Sequence, residues 1–252
     1  MNRSYSTQQL MIIAAAREIM DHEVVFVGMR LPITAFGVAK LTHAPNAIGL
    51  FESGIVRNHP AGEMLYTMAD PPNQKDAAWC SGLVQVMGLL QRGKVDAGFI
   101  GGAEIDQYGN INSSYIGSYN DPRIKLPGSG GAADIAALSG RLIAIMNHEP
   151  RRLVEKVQYV TSPGFLEGGE SRQKLGLKGG PSSLITDMAV LRPYGPNNEF
   201  HLASFHPGHQ PDQVTGKTGW DLKIIPDLEE TIPPSLEELE ALSEIDPEGF
   251  WS

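Results

Sequence analysis

The chain has 252 residues, 41% of them hydrophobic and 19% charged, which is enough for one large globular domain with a substantial core. Its formal net charge of -9 and isoelectric point near 5.2 argue against a nucleic-acid or anionic-membrane partner, because both require clustered lysine and arginine. The single cysteine, Cys80, excludes an internal disulfide and a cysteine-rich metal site, and indicates a reducing cytoplasm.

Helices and strands alternate along the chain. The capping-box pattern Ser6-x-x-Gln9 predicts a first helix of about four turns, whose apolar run is far shorter than the ~20 residues of a membrane span. The later segments give strands at 24–27, 47–51, 97–100, 142–146 and 184–191, and helices at 33–41, 80–91 and 133–138. We therefore predict a layered α/β fold with a mostly parallel sheet flanked by helices. One domain should span residues 1–252, with an extended acidic C-terminal segment from about 225 to 252.

The first candidate site is Glu52-Ser53-Gly54, which follows directly on the strand ending at Phe51. Ligands of open α/β sheets bind at the carboxyl ends of strands, where this glutamate would stand. A carboxylate can act as a covalent nucleophile on an activated acyl carbon, and two small neighbours would leave room for a thioester. By itself, however, Glu-Ser-Gly is a weak signal that a solvated loop carboxylate would also satisfy.

A glycine-rich turn, Gly128-Ser129-Gly130-Gly131-Ala132, leads into the helix predicted from residue 133. Backbone N–H groups in such a turn can bind negative charge that develops on a thioester oxygen. The same turn can equally be a connector, and it lacks the Lys-Ser/Thr signature of a P-loop.

Other polar segments have structural explanations. In Ile100 to Asn112, a hydrogen-bonded turn with Gly109 at positive φ accounts for most of the pattern. His148 at a strand end is expected to be a hydrogen-bonded structural residue. His201, His206 and His209 lack the spacing of a zinc motif and are expected in surface loops, and Cys80 is expected to be a small buried hydrophobe.

In order and spacing these segments resemble one family nearly from end to end. The chain is similar to the B subunit of the glutaconate CoA-transferases, within the family I CoA-transferases, whose fold is related to that of sugar-phosphate isomerases. The resemblance is carried by Leu31-Pro32, Val38-Ala39-Lys40, Glu52-Ser53-Gly54, Ile100-Gly101-Gly102-Ala103, Asp106-x-Tyr108-Gly109-Asn110, the Gly128–Ala132 turn, His148-Glu149-x-Arg151-Arg152, Tyr159–Gly164, Leu175-Gly176-Leu177, Thr186-Asp187, Thr218-Gly219-Trp220-Asp221 and Ile245-Asp246-Pro247.

The resemblance implies a transferase with Glu52 as its covalent nucleophile. In this family the matching glutamate forms a mixed anhydride and then a glutamyl-CoA thioester, which an acceptor carboxylate takes over. By the same resemblance, Gly130, Gly131 and Ala132 belong to an oxyanion and CoA-binding site, while Ser53 and Gly54 shape the approach to the glutamate. No cofactor is held permanently, since the coenzyme A thioester is a substrate. We also expect a homologous α subunit as partner, in a heterodimer that assembles into a heterotetramer or larger, and no metal.

Arg30 departs from the family pattern, because the glutaconate enzymes are expected to carry a small residue there. An arginine at this place can clamp a substrate carboxylate through two hydrogen bonds. Alternatively, it pairs with an acidic residue of the partner subunit or points into solvent. Glutaconate is therefore one candidate substrate among carboxylic acids.

Two other functions remain open. Related CoA-thioester enzymes include a ring-cleaving hydrolase of steroid breakdown and a decarboxylase, and both families are expected to lack a glutamate at the position of Glu52. A hydrolase or lyase is thus the alternative to a transferase. A non-enzymatic alternative is a ligand-sensing or scaffold subunit, since related sheet folds also occur in regulatory proteins.

Overall fold

The computed structural model describes residues 5–252, which form two compact units. The first unit comprises the chain up to Phe99 together with Ile232–Ser252, and the second comprises Ile100–Thr231. No helix within residues 5–252 is both long enough and apolar enough to cross a bilayer.

The first unit contains five neighbouring strands and the helices that pack with them. Its elements begin with α1 (Thr7–Ala16), β1 (Val24–Phe26), α2 (Leu31–Leu41), β2 (Ile48–Phe51), β3 (Ile55–Arg57), α3 (Pro71–Gln74), β4 (Trp79–Cys80), α4 (Leu83–Gln91) and β5 (Ala97–Ile100). The strand order is β5-β1-β2-β3-β4. The first three strands in this order are parallel, and β3 and β4 add to them in antiparallel fashion.

The second unit contains five further neighbouring strands and two small sheets. Its elements are β6 (Glu104–Asp106), β7 (Ile111–Asn112), β8 (Tyr115–Gly117), β9 (Pro122–Lys125), α5 (Ala132–Leu138), β10 (Arg141–Ile145), β11 (Leu153–Val154), α6 (Ser171–Lys174), β12 (Pro181–Ile185), β13 (Ala189–Tyr194), β14 (Glu199–Phe205), α7 (Pro211–Thr215) and β15 (Ile224–Glu230). The five neighbouring strands have the order β15-β14-β13-β12-β10, in which β15 and β14 are parallel and β12 and β10 are parallel. The smaller sheets are β11-β6-β7 and β8-β9.

The C-terminal segment returns to the first unit and is helical over α8 (Leu236–Ile245). Ser235 and Glu238 form a capping box at its start, and Glu238 also pairs with Arg17 at 2.7 Å. α2 packs against both α1 and α8. The acidic tail is therefore not extended throughout, since an amphipathic helix within it covers part of the core.

The α/β class is confirmed, and so are most of the predicted elements. α1 starts at the predicted capping box, where the Gln9 N–H donates to Ser6 Oγ at 3.0 Å, but it has only ten residues. The chain leaves the helix at Arg17, whose guanidinium is bound to Glu238 and to two carbonyls next to α8. β1 is buried on both faces as predicted, with Val25 0% and Phe26 1% exposed.

Two predicted segments were wrong in detail. The helix expected from residue 80 begins at Leu83, because Trp79 and Cys80 pair with β3 instead. Cys80 is exposed rather than buried. The single strand expected at 184–191 is a hairpin of β12 and β13, because the Thr186 hydroxyl accepts hydrogen bonds from two backbone N–H groups and closes a turn there.

Candidate active site

Glu52 lies in the three-residue turn that joins β2 to β3. Phe51 and Ile55 pair across this hairpin, and the Gly54 N–H donates to the carbonyl of Phe51 at 2.9 Å. Gly54 has φ +98°, as three-residue hairpins require of the residue that closes the turn. Glu52 is therefore the first residue beyond the carboxyl end of β2, and it is half-buried.

The turn is braced from two sides within the first unit. Both the N–H and the hydroxyl of Ser81 donate to the carbonyl of Gly54, each at 2.8 Å. On the other side, the Ser53 hydroxyl donates to the carbonyl of Met68 at 2.9 Å. A methyl group on Gly54 would lie 2.4 Å from the Ser81 carbonyl oxygen, so this close approach requires glycine. Ser53 and Gly54 thus fix the backbone that carries Glu52.

The loop that meets Ser53 is organised by a buried arginine. Arg57 is 1% exposed, and burial lowers the pKa of its guanidinium. Its N–H groups donate to the carbonyls of His59, Pro60, Asn73 and Lys75. The Asn73 side chain in turn donates to the carbonyl of Met68 at 2.7 Å. Sequence reasoning missed Arg57 because its acceptors are main-chain carbonyls, which leave no residue pattern.

Arg30 follows the neighbouring strand β1. Because β1 and β2 are parallel, with Phe26 opposite Leu50, Arg30 and Glu52 both lie beyond the carboxyl ends of adjacent strands. Arg30 has φ 71° and ψ -122°, a conformation that costs a non-glycine residue on the order of 1–3 kcal/mol. Its guanidinium carbon lies 5.7 Å from the centre of the Trp251 ring. The side chain is exposed.

A small cavity lies beneath this region, between α2, the loop 60–65 and α8, and is lined by Trp251 and Phe51 among others. Its volume of about 40 Å³ is enough for a few water molecules, as one water needs roughly 10–15 Å³ by this measure. It is therefore too small for a CoA thioester.

The glycine-rich turn belongs to the second unit. Gly128 and Gly130 have φ values of 96° and 48°, and α5 starts at Ala132, one residue earlier than predicted. The N–H of Ala132 donates to the carbonyl of Ser129 at 2.9 Å. Within residues 5–252 the exposed N–H of Gly130 has no acceptor. The predicted site residues of this turn are Gly130, Gly131 and Ala132. The N–H of Gly130 can thus bind a ligand, whereas the N–H of Ala132 is already hydrogen-bonded.

α5 is anchored by a second buried arginine that sequence reasoning missed. Arg172 is 1% exposed, and its guanidinium donates to the carbonyl of Ala136 in α5 at 2.6 Å. It also binds the carbonyls of Pro163, Gly164 and Lys178. Burial lowers the pKa of Arg172. This arginine ties the helix after the glycine-rich turn to two other loops.

The polar segment after β5 is structural, as predicted. Asp106 is 2% exposed and accepts hydrogen bonds from the N–H groups of Tyr108 and Asn110 and from the Asn110 side chain. Burial raises the pKa of Asp106. Gly109 takes φ 73°, which confirms the predicted turn. The Asn110 amide oxygen accepts from the N–H of Gly164, so this segment joins two loops of the second unit.

His148 is held in a buried hydrogen-bond network, as predicted. Its Nδ1 lies 3.1 Å from Thr186 Oγ1 and its Nε2 lies 3.0 Å from Thr218 Oγ1. Because the Thr218 hydroxyl donates to the Val214 carbonyl, it accepts from Nε2, which therefore carries the proton. Burial lowers the pKa of His148 to about 4. The ring is therefore neutral at pH 7, and its role is structural, through its contacts with two threonine hydroxyls.

The prediction that three further histidines lie in surface loops was wrong for two of them. His201 is on β14, where it lies 5.2 Å from the Tyr194 ring. His206 is 1% exposed, and its Nε2 lies 2.8 Å from the carbonyl oxygen of Thr186. Burial lowers the pKa of His206 to about 4. His209 is half-buried outside the strands. Among residues 5–252, no group of three or more His, Cys, Asp or Glu side chains could hold a metal ion.

Comparison with known proteins identifies the family. The family model for coenzyme A transferases matches residues 9–217, which is most of the chain. The chain belongs to the coenzyme A transferase family. It is 39% identical over 251 residues to the B subunit of 3-oxoadipate CoA-transferase from Pseudomonas knackmussii, covering 95% of this chain and 92% of that protein. It is 35% identical over 252 residues to the B subunit of glutaconate CoA-transferase from Acidaminococcus fermentans, covering 97% and 94%.

Solved structures share the fold. The crystal structure of glutaconate coenzyme A-transferase from Acidaminococcus fermentans superposes with a TM-score of 0.92 at 32% identity, covering 98% of this chain and 97% of that chain. The decarboxylase AibA/AibB superposes with a TM-score of 0.85 at 26% identity, covering 98% and 97%. The chain is therefore a CoA-transferase-family subunit of the B type, although the same fold is also found in a decarboxylase.

Proposed function

We propose that this chain is the B subunit of a heteromeric CoA-transferase that moves CoA between an acyl-CoA and a carboxylic acid through a thioester on Glu52. The observation that carries the proposal is the placement of Glu52 in a braced hairpin turn at the carboxyl end of β2. A carboxylate nucleophile has to be held in one geometry, because a displacement of about 1 Å can cost 10²-fold in rate.

The proposed first half-reaction exchanges one activated acyl group for another. A carboxylate oxygen of Glu52 attacks the thioester carbonyl, the C–S bond breaks, and CoA leaves as the thiolate. The thiolate then attacks the glutamyl carbonyl of the mixed anhydride and expels the donor acid as its carboxylate. Glu52 is left as a CoA thioester, and the acceptor carboxylate reverses the two steps.

The tetrahedral intermediates in these steps carry negative charge on oxygen, and the glycine-rich turn is our proposed donor site. Gly130 is exposed and its N–H lacks an acceptor within residues 5–252, which suits such a role. We assign Gly131 to the same site by resemblance. For Ala132 we propose only that it fixes the conformation of the turn, since its N–H donates to the Ser129 carbonyl.

The substrates we propose are dicarboxylic acids and their CoA esters. Both relatives described above are named for such acids, 3-oxoadipate and glutaconate. Both are also B subunits, and we propose that a homologous α subunit completes the CoA pocket in a heterodimer or larger assembly. The single cysteine in 252 residues supports a cytoplasmic enzyme.

The kinetic test compares Glu52→Gln with Glu237→Gln in the co-purified complex. Glu237 lies exposed on α8, so its variant is a matched control for the loss of one carboxylate. We expect Glu52→Gln to lower transfer by roughly three orders of magnitude or more, because an amide cannot form the anhydride. The unmodified complex should show ping-pong kinetics. Normal turnover by Glu52→Gln would exclude the covalent mechanism.

A further inference from the structure

We propose that Arg30, seated on the ring of Trp251, recognises the second carboxylate of the acid substrate, and that the C-terminal turn 246–252 positions it. The inference rests on the proposed CoA-transferase function and adds the group that would distinguish dicarboxylic from monocarboxylic acids. Arg30 acts here as a specificity-determining residue, and Trp251 acts through it as a positioning residue.

The backbone at Arg30 indicates that its side chain has a role. With φ 71° and ψ -122°, the position suits glycine far better than any residue with a Cβ. Strained residues of this kind cluster at active sites and ligand clamps. Arg30 also lies beside the proposed nucleophile in the topology, since the Val27 N–H donates to the Leu50 carbonyl at 2.8 Å where β1 and β2 end.

Arg30 and Glu52 follow the carboxyl ends of neighbouring strands. β1 ends at Phe26 and β2 at Phe51, these adjacent strands lie about 4.8 Å apart, and Arg30 is the N-cap residue of α2. The two residues therefore lie at the same edge of the sheet. An acid that reacts at Glu52 through one carboxylate would reach the arginine with a second one at the far end of a short carbon chain.

The guanidinium is available for such a contact. Its carbon lies 5.7 Å from the Trp251 ring centre, and within residues 5–252 it makes no hydrogen bond or ion pair. An arginine held against an aromatic ring keeps the N–H groups of its edge free to bind a carboxylate with two hydrogen bonds.

The aromatic platform is itself fixed in place. The Trp251 Nε1–H donates to the carbonyl of Leu65 at 2.9 Å. The carboxylate of Asp246, which is 3% exposed, accepts from the N–H groups of Phe250 and Trp251 at 2.9 and 2.8 Å. The C-terminal turn thus holds the indole against the loop 60–65, and the arginine is positioned without a salt bridge that a substrate carboxylate would have to displace.

The test measures selectivity in the co-purified complex with acids of equal length, glutarate against pentanoate and adipate against hexanoate. We expect the unmodified complex to favour the dicarboxylates, and Arg30→Met to reduce the ratio of the two kcat/KM values about 10- to 100-fold, as the loss of a charge-assisted bidentate contact implies. Trp251→Leu should reduce it less, mainly through KM. Arg92→Met, at the exposed end of α4, is the matched control and should not change the ratio.

A second variant separates recognition from stability. Arg30→Gly relieves the backbone conformation, so it should raise the melting temperature and still lose the selectivity. An unchanged ratio in both Arg30 variants would overturn the inference. An equal rise of KM for the acyl-CoA with every acid would also overturn it, because the arginine would then bind a CoA phosphate. Failure of the proposed function is distinguishable, since the unmodified complex would then form no Glu52 thioester at all.

Discussion

Gly54→Ala should displace the turn that carries Glu52 and destabilise the protein. A new Cβ would lie 2.4 Å from the Ser81 carbonyl oxygen and 2.8 Å from its carbon, and both are backbone atoms that no rotamer change can move away. The positive φ adds about 1–2 kcal/mol for any L side chain. Separating the two segments also weakens two hydrogen bonds of Ser81, worth about 1 kcal/mol each. We expect a loss of about 2–4 kcal/mol in total.

The assay is thermal unfolding of the co-purified complex at fixed concentration, together with the transfer rate. A loss of this size corresponds to a fall in melting temperature of roughly 4–16 °C for a chain of this length. Gly88→Ala is the matched control, because Gly88 lies inside α4 with nothing within 4 Å of the added Cβ. It should stabilise the protein by up to about 1 kcal/mol. An unchanged melting temperature and transfer rate in Gly54→Ala would refute the close approach between the turn and Ser81.

Three other variants or conditions test the remaining structure. Ser81→Ala removes one of the two hydrogen bonds to Gly54 and should lower kcat more than it changes KM, whereas Ser81→Thr should recover part of the activity. Equal kinetics in the unmodified protein and both variants would show that the hydroxyl does not position the turn. Acidification should destabilise the protein through His148 and His206, whose folded pKa values of about 4 lie below the unfolded value near 6.5. The stability that the neutral rings contribute is therefore fully present above pH 6.5 and is lost as the pH falls towards 4. The loss is up to about 1.4 kcal/mol per pH unit for each ring. Urea titrations at pH 7 and pH 5 measure this, and equal midpoints would contradict the buried neutral rings. Arg172→Met should cost about 3–5 kcal/mol in the same titration at pH 7, because it leaves buried carbonyls without donors, and a loss under about 1 kcal/mol would contradict that anchoring role.

Local signals predicted the start of α1 and the end of β2. The Ser6 and Gln9 capping box is complete within four residues, and the apolar run before Glu52 ends where the hairpin turns. The same kind of signal, Ser235-x-x-Glu238, marks the start of α8, although the proline and glutamate around it favour an extended segment.

Long-range contacts explain what the sequence could not reveal. Trp79 and Cys80 pair with β3, so a stretch with a helical apolar pattern starts as a strand. Arg57 and Arg172 bind main-chain carbonyls that any residue could supply, and no motif indicates them. The cation–π contact between Arg30 and Trp251 joins residues 221 positions apart in the sequence and depends on the C-terminal turn.

The central claim is that Glu52 becomes a CoA thioester during turnover. Mass spectrometry of the co-purified complex, incubated with acyl-CoA and then with borohydride, reads the modification on the peptide that contains Glu52. A CoA adduct or a reduced side chain at Glu52, absent from the Glu52→Gln complex, is the predicted result. Unmodified Glu52 together with release of free CoA would contradict the covalent mechanism and would indicate a hydrolase or lyase of the same family.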